Sequence, residues 1–411
     1  MTLEDALEIA DRLARPTDPA LPHGRAWWPQ SLAHGVPGIA LLHTELAAAD
    51  LRPWRRVHDW LTLTATRPLT TGPSTGLFYG APAVAYALAA VATVHPGAYR
   101  QALQALDQQI AADAHRRAQE GGDRIRAGRL PVLAEFDLIR GLAGLGTYLL
   151  RRRPGGAAVR AVLDYLVQLT KPLTRGGTAL PGWWTPTGPA GRMDEEEFPG
   201  GHGNAGMAHG ISGPLALLAT ATLHEVTVPG QKDAIHTICA WLDSWRLDTP
   251  TGPRWPYLIT RDELDTGPTN SHHHSGANRR PSWCYGTAGL ARAQQLAAQA
   301  HEDLPRQCSA EDALLGALND PAQLAMTSDA SLCHRYAGLA SITARAATDA
   351  DTTAASALRK LSQNLLAAAP YPAPDAGPGL LEGSAGTALS TLTLTTDQPP
   401  ATGWDACLLI T

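Results

Sequence analysis

The chain has no basic surplus to offer a polyanion. Its 33 Lys and Arg are outnumbered by 38 Asp and Glu, and a formal net charge of -5 argues against generic nucleic-acid binding. No apolar run comes near the roughly 18 to 20 residues that a membrane span requires. The acidic, amphipathic start Met1-Thr2-Leu3-Glu4-Asp5-Ala6-Leu7 lacks the basic opening and apolar stretch of a signal peptide. The expectation is a cytoplasmic protein that meets a membrane only through partners. Phenylalanine is scarce, at 3 residues, while alanine and leucine abound, which favours helices over sheets. Cysteine is sparse and odd in number. Cys239, Cys284, Cys308, Cys333 and Cys407 suit metal binding or catalysis in a reducing compartment better than a disulfide framework.

What the chain has is a small glycine-bearing loop that feeds an apolar segment, again and again. It stands at His34-Gly35-Val36-Pro37-Gly38, Leu77-Phe78-Tyr79-Gly80-Ala81-Pro82, Asp137-Leu138-Ile139-Arg140-Gly141 and His209-Gly210-Ile211-Ser212-Gly213. It recurs at Trp283-Cys284-Tyr285-Gly286, Cys333-His334-Arg335-Tyr336-Ala337-Gly338 and Leu381-Glu382-Gly383. Gly35 and Gly80 are 45 residues apart; Gly286, Arg335 and Gly383 follow at intervals of 49 and 48. Units of that length hold one helix pair, and such units bury their apolar faces only by stacking on neighbours. The expected architecture is all-α, seven helix pairs in an open solenoid or a closed ring. In a ring, the glycine loops gather at one end around a cavity; in the plainer reading they are only helix-pair turns.

Between the loops, 99–120, 157–169 and 233–245 read as partner helices with one apolar face. An opening helix starts at Thr2, with Asp5 placed to complete a cap. Residues 174–203 and 247–282 fit no helix pair. They hold Trp183-Trp184, the acidic run Asp194 to Glu197, Trp255-Pro256-Tyr257 and His272-His273-His274, and are expected to wall a substrate cavity. The acidic run reads as a solvated loop, and His202 and His272 to His274 as surface histidines. The stretch after Thr395 reads as a short terminal extension.

Cys284, Cys333 and His334 occupy equivalent positions of adjacent loops. Two thiolates and an imidazole suit zinc, and three protein ligands leave the fourth tetrahedral position open, as catalytic sites do. The alternative is that these cysteines are small buried hydrophobes.

The segments Trp283-Cys284-Tyr285-Gly286, Cys333-His334 and Gly206-Met207-Ala208-His209-Gly210-Ile211-Ser212-Gly213 resemble those of the lanthionine synthetase C family. The resemblance runs over essentially the whole chain and implies an α,α-toroid of seven helix pairs, one domain over 1–411, with Zn2+ at one end of the cavity. It implies Cys284, Cys333 and His334 as zinc ligands. His209 and Asp137 would match the family's catalytic histidine and aspartate, and Arg280 and Tyr285 its other active-site residues. The implied activity joins cysteine thiols to dehydroalanine or dehydrobutyrine residues of a precursor peptide carrying a leader, giving lanthionine or methyllanthionine. With no further N-terminal region, a separate dehydratase is the expected partner.

Plainer roles stay open for several of these residues. His209 and Asp137 could each cap a helix, and Arg280 could pair with a carboxylate. The family usually has glycine where this chain has Arg335, which would cost strain if that position needs a positive φ. Two other functions compete. One is a non-catalytic precursor-binding scaffold. The other is a helical-toroid glycosidase with carboxylates such as Asp137 and Glu382, which leaves the cysteines unexplained.

Overall fold

Helices that are apolar on every face alternate with helices that carry one apolar stripe. In chain order they are α1 (Leu3–Arg12), α2 (Val36–Ala48), α3 (Trp54–Thr64), α4 (Ala81–Val94), α5 (Arg100–Arg126) and α6 (Leu133–Phe136). Then come α7 (Leu142–Arg152), α8 (Ala157–Leu169), α9 (Ser212–Leu223), α10 (Gln231–Ser244), α11 (Arg261–Thr266) and α12 (Thr287–His301). The last are α13 (Leu304–Asn319), α14 (Pro321–Leu324), α15 (Tyr336–Asp349), α16 (Thr352–Ala368) and α17 (Ser384–Thr396). The computed structural model describes residues 1–17, 25–189, 191–192, 196–268, 280–350, 352–373, 375–396 and 398–411. Asp194, Glu195 and the run His272 to His274 lie outside the described residues.

The two kinds of helix take two layers. Every residue of α2 from Val36 to Ala47 is buried, whereas α3 buries only Val57, Trp60, Leu61 and Thr64, the i, i+3, i+4, i+7 stripe of a helix facing solvent. An all-apolar helix is stable only with neighbours on all sides, so α2, α4, α7, α9, α12, α15 and α17 form the inner layer. Each packs on the next, and α17 packs on α2, so the row closes into a ring. Outside it α3, α5, α8, α10, α13 and α16 pack on the inner helices that precede them, and α1 covers α17. The fold is an α,α-toroid. Thr2 caps α1 in the expected reciprocal box with Asp5. The helix read at 99–120 runs on to Arg126, and that read at 233–245 is Gln231–Ser244.

Backbone hydrogen bonds lace the loops that open the inner helices into a belt. Leu32 N–H donates to Phe78 O (3.0 Å), Leu138 N–H to Ala208 O (3.2 Å) and Met207 N–H to Cys284 O (3.0 Å). Cys284 N–H donates to Cys333 O (3.2 Å), Cys333 N–H to Leu381 O (2.8 Å) and Leu381 N–H to Ala33 O (2.9 Å). Between the second and third loops a buried cation does this work: Arg117 of α5 donates to Thr75 O (3.0 Å) and Arg140 O (2.7 Å). Such satisfied backbone groups are what allow loops to be buried at all.

The two long insertions contain short strands that the composition did not suggest. β1 (Leu173–Arg175) pairs with β2 (Thr178–Leu180), and β4 (Leu247–Thr249) with β5 (Gly252–Arg254). β3 (His202–Asn204) pairs antiparallel with β6 (Leu258–Thr260), stitching one insertion to the other beside the loops. His202, read as a surface histidine, is fully buried in β3. Glu196 and Glu197 are exposed, as a solvated loop requires.

The stretch after Thr395 is no mere extension. Residues 401–410 lie inside the ring, with Trp404, Cys407, Leu408, Leu409 and Ile410 buried. Glu45 of α2 accepts from Ala401 N–H (3.1 Å) and Thr402 N–H (2.8 Å), and Arg151 of α7 donates to the carbonyls of Thr402 and Gly403. Tyr86 of α4 donates to Trp404 O (3.0 Å), Arg345 of α15 pairs with Asp405 (2.6 Å), and Arg292 of α12 donates to Ile410 O (2.9 Å). Composition could not reveal this, because the segment is short and its anchors are scattered over five helices.

Candidate metal and catalytic site

The ligand set forms because the belt sets neighbouring loops side by side. Cys284 ends the loop before α12, and Cys333 and His334 end the loop before α15. One sulfur from each cysteine and one nitrogen from His334 lie within 4.8 Å of one another. Among the described residues this is the cluster able to hold a metal ion. Two sulfurs, an imidazole and no fourth described ligand make a donor set compatible with zinc.

The pair of thiols shares its protons unequally. Cys284 is held well below the ordinary thiol value, chiefly by its contact with Cys333, with His334 and Ser282 adding to the effect. Cys333 is pushed up, first by the same contact and then by burial. Cys239 and Cys407 are poor nucleophiles: burial pushes Cys239 up to about 11 and raises Cys407 as well.

Beside the sulfurs stands a histidine–aspartate pair. His209, before α9, places Nδ1 2.6 Å from Asp137 Oδ2. Asp137 Oδ1 accepts the backbone N–H groups of Arg140 and Gly141, each at 2.7 Å. Asp137 does not cap the following helix, whose N-cap is Gly141 without a side-chain bond; one oxygen of this buried carboxylate closes the turn before α7 and the other orients His209. The His209 side chain keeps 27% exposure against 1% for Asp137, so its free edge reaches solvent. With both oxygens engaged, Asp137 does not offer the free carboxylate a glycosidase acid or base would need.

Tyr285 stacks between neighbours. Its ring lies 6.0 Å from His209 and 4.9 Å from Tyr257, and Asn204 Nδ2 donates to its hydroxyl at 3.4 Å. Burial raises its pKa, which keeps the phenol protonated and able to donate. Arg280 lies close enough to Cys333 for its charge to favour the thiolate there, and it makes no ion pair among the described residues.

Sequence reasoning missed Ser282, Asn204 and Tyr257. Ser282 Oγ is 3.7 Å from Cys284 Sγ and accepts Tyr285 N–H at 3.2 Å. Asn204 and Tyr257 come from the two insertions, at the β3–β6 junction, where Ala205 N–H donates to Tyr257 O (2.8 Å). The nearest signal was the expectation that these insertions wall the cavity.

Glycine after the cysteine is required by close approach, since a Cβ on Gly286 would stand 2.1 Å from the Ser282 amide nitrogen. The sixth loop solves the problem differently. Arg335 has φ -133 and ψ -164, extended backbone open to any residue, so the feared strain is absent. Its guanidinium pairs with Asp329 at 3.0 Å and donates to Met326 O at 2.9 Å, clipping the loop across its base.

Comparisons with known proteins agree with this architecture. A family model described as lanthionine synthetase C-like protein matches residues 26–409. The chain is 24% identical over 265 residues to the nisin biosynthesis protein NisC of Lactococcus lactis subsp. lactis, a match covering 63% of this chain and 60% of that relative's length. A solved structure named nisin cyclase superposes with TM-score 0.78 at 21% identity, covering 99% of this chain and 97% of that one, a likeness of fold.

Proposed function

The chain belongs to the lanthionine synthetase C-like family, and from that premise we propose that it is a zinc-dependent lanthipeptide cyclase, one domain over 1–411. It adds cysteine thiols of a dehydrated, leader-bearing precursor peptide to dehydroalanine or dehydrobutyrine residues, after a separate dehydratase has acted. The observation that carries the reading is the Cys284, Cys333 and His334 cluster beside the His209–Asp137 pair. Neither a peptide-binding scaffold nor a glycosidase has a use for that combination.

Cys284, Cys333 and His334 would hold the metal, which supplies an open coordination position where a substrate thiol ionises. The chain's own residues do the rest. The sulfur forms a bond to the β-carbon of the dehydro residue while the C=C π pair moves toward the carbonyl as an enolate. Its α-carbon then needs a proton. With Nδ1 engaged by Asp137, His209 has Nε2 free to deliver it. Asp137 fixes the ring and its tautomer. Tyr285 and Arg280 offer a hydrogen bond and a positive charge to the developing oxyanion.

A dehydrated peptide bearing free cysteines, incubated with the zinc-loaded protein, should lose alkylatable thiols without a change of mass. Asp137→Asn should keep its zinc and lose about 100-fold in kcat, because proton transfer by a positioned histidine is worth about that much. Ring closure by metal-free protein at the zinc-loaded rate would overturn the proposal.

A further inference from the structure

In six of the seven loops of the belt the residue just before the helix-opening position is more exposed than the residue preceding it. Ala33 is buried and His34 exposed; Phe78 is buried and Tyr79 half-buried; Ile139 is half-buried and Arg140 exposed. The same contrast holds for Ala208 and His209, Cys284 and Tyr285, and Leu381 and Glu382. The sixth loop is the exception, with Cys333, His334 and Arg335 all half-buried. The belt explains the contrast: residues on its hydrogen-bonded side are pinned into the ring, which leaves the next side chain for the mouth. Followed around the ring, the mouth reads His34, Tyr79, Arg140, His209, Tyr285, His334, Glu382.

Three neighbours in that circle, His209, Tyr285 and His334, are the reacting arc of the proposed cyclase. The loops that flank the arc contribute Arg140 on the His209 side and Glu382 on the His334 side. These two charges are opposite and exposed, and among the described residues neither makes an ion pair. Glu382 is close enough to Cys333 for its charge to be felt there. The other charges nearby are already answered: Asp137 by His209, and Arg335 by Asp329. Arg280 also reaches Cys333, on the metal-ligand side of the arc.

We propose that Arg140 and Glu382 select the substrate peptide by charge, Arg140 taking an acidic side chain beside the dehydro residue and Glu382 a basic one beside the cysteine. This deepens the cyclase reading and rests on it. The thiol must sit at the metal ligands, next to Glu382, and the proton acceptor at His209, next to Arg140. A peptide lying across the arc therefore meets the two charges in a fixed order.

The test uses the zinc-loaded full chain and two synthetic peptides in which serine replaces the dehydro residue, so that no ring can close. One carries Lys beside Cys and Asp beside Ser; the other has these exchanged. Calorimetric titration should show the first binding about fivefold tighter, the scale expected of exposed ion pairs. The double charge reversal Arg140→Glu with Glu382→Lys should invert that order while zinc content stays at one per chain. Equal binding of the two peptides by the unmodified protein, or an order that the reversal leaves unchanged, would overturn the charge-selection proposal. The dehydrated form of the first peptide separates the two readings: charge-ordered binding without thioether formation removes the cyclase reading and leaves the charged mouth standing.

Discussion

The two ends of the ring use the same helices for opposite purposes. At the loop end the inner helices begin, and the residue before each first turn is half-buried or exposed, with reactive groups among them. Further along the same helices, Glu45, Tyr86, Arg151, Arg292 and Arg345 turn inward and are consumed by the segment 401–410. Polar groups that are satisfied inside a protein hold structure; polar groups left with a free edge at a cavity can do chemistry. The segment also joins the ends, because Leu408 O accepts the indole N–H of Trp283 (3.0 Å), the residue before Cys284. The segment thus braces the loop that carries Cys284 from inside the ring.

If the ends are separable, damage to one should spare the other. Cys284→Ala should abolish stoichiometric zinc, a loss of at least about 100-fold in affinity, while the thermal midpoint moves by only a few degrees; metal analysis beside a melt will tell. Trp404→Ala should do the reverse. Removing a fully buried tryptophan costs about 3 to 5 kcal/mol, read by urea denaturation, with zinc still at one per chain. A Trp404 variant that loses its metal at full stability would show that the ends cannot be separated.

Acid should strain the wall and the insertion junction together. Burial pushes His43 in α2 and His202 in β3 down to about 4. A histidine with a depressed folded pKa has its full stabilising share above the unfolded value near 6.5, and loses it as pH falls toward 4. Each should cost about 2 kcal/mol of unfolding free energy between pH 7 and 5. Urea titrations at both pH values on His43→Gln and His202→Gln assign the shares. The smallest effect is expected at Arg335→Gly. It removes a half-exposed ion pair, worth under about 1 kcal/mol, and should leave zinc content unchanged. A larger loss would mean that the clip to Asp329 holds the metal loop itself.

The repeated glycine loops, the alternation of helix types and the chemistry-bearing residues were legible along the chain, because each is a local pattern of spacing and residue type. Three residues were not. His202 and Asn204 are ordinary polar residues until β3 meets β6, more than fifty residues later. Arg335 looked costly because only the fold shows an extended backbone and a clip to Asp329.

Cys284, Cys333 and His334 were named by their places in adjacent loops, and His209 and Asp137 through the family resemblance of the motifs that hold them. That Asp137 divides its oxygens between a turn and His209, and that 401–410 fills the bore, was decided by ring closure. Hydrogen bonds between loops far apart in sequence have no local signature. They form only when α17 packs on α2 and brings every loop to the same end.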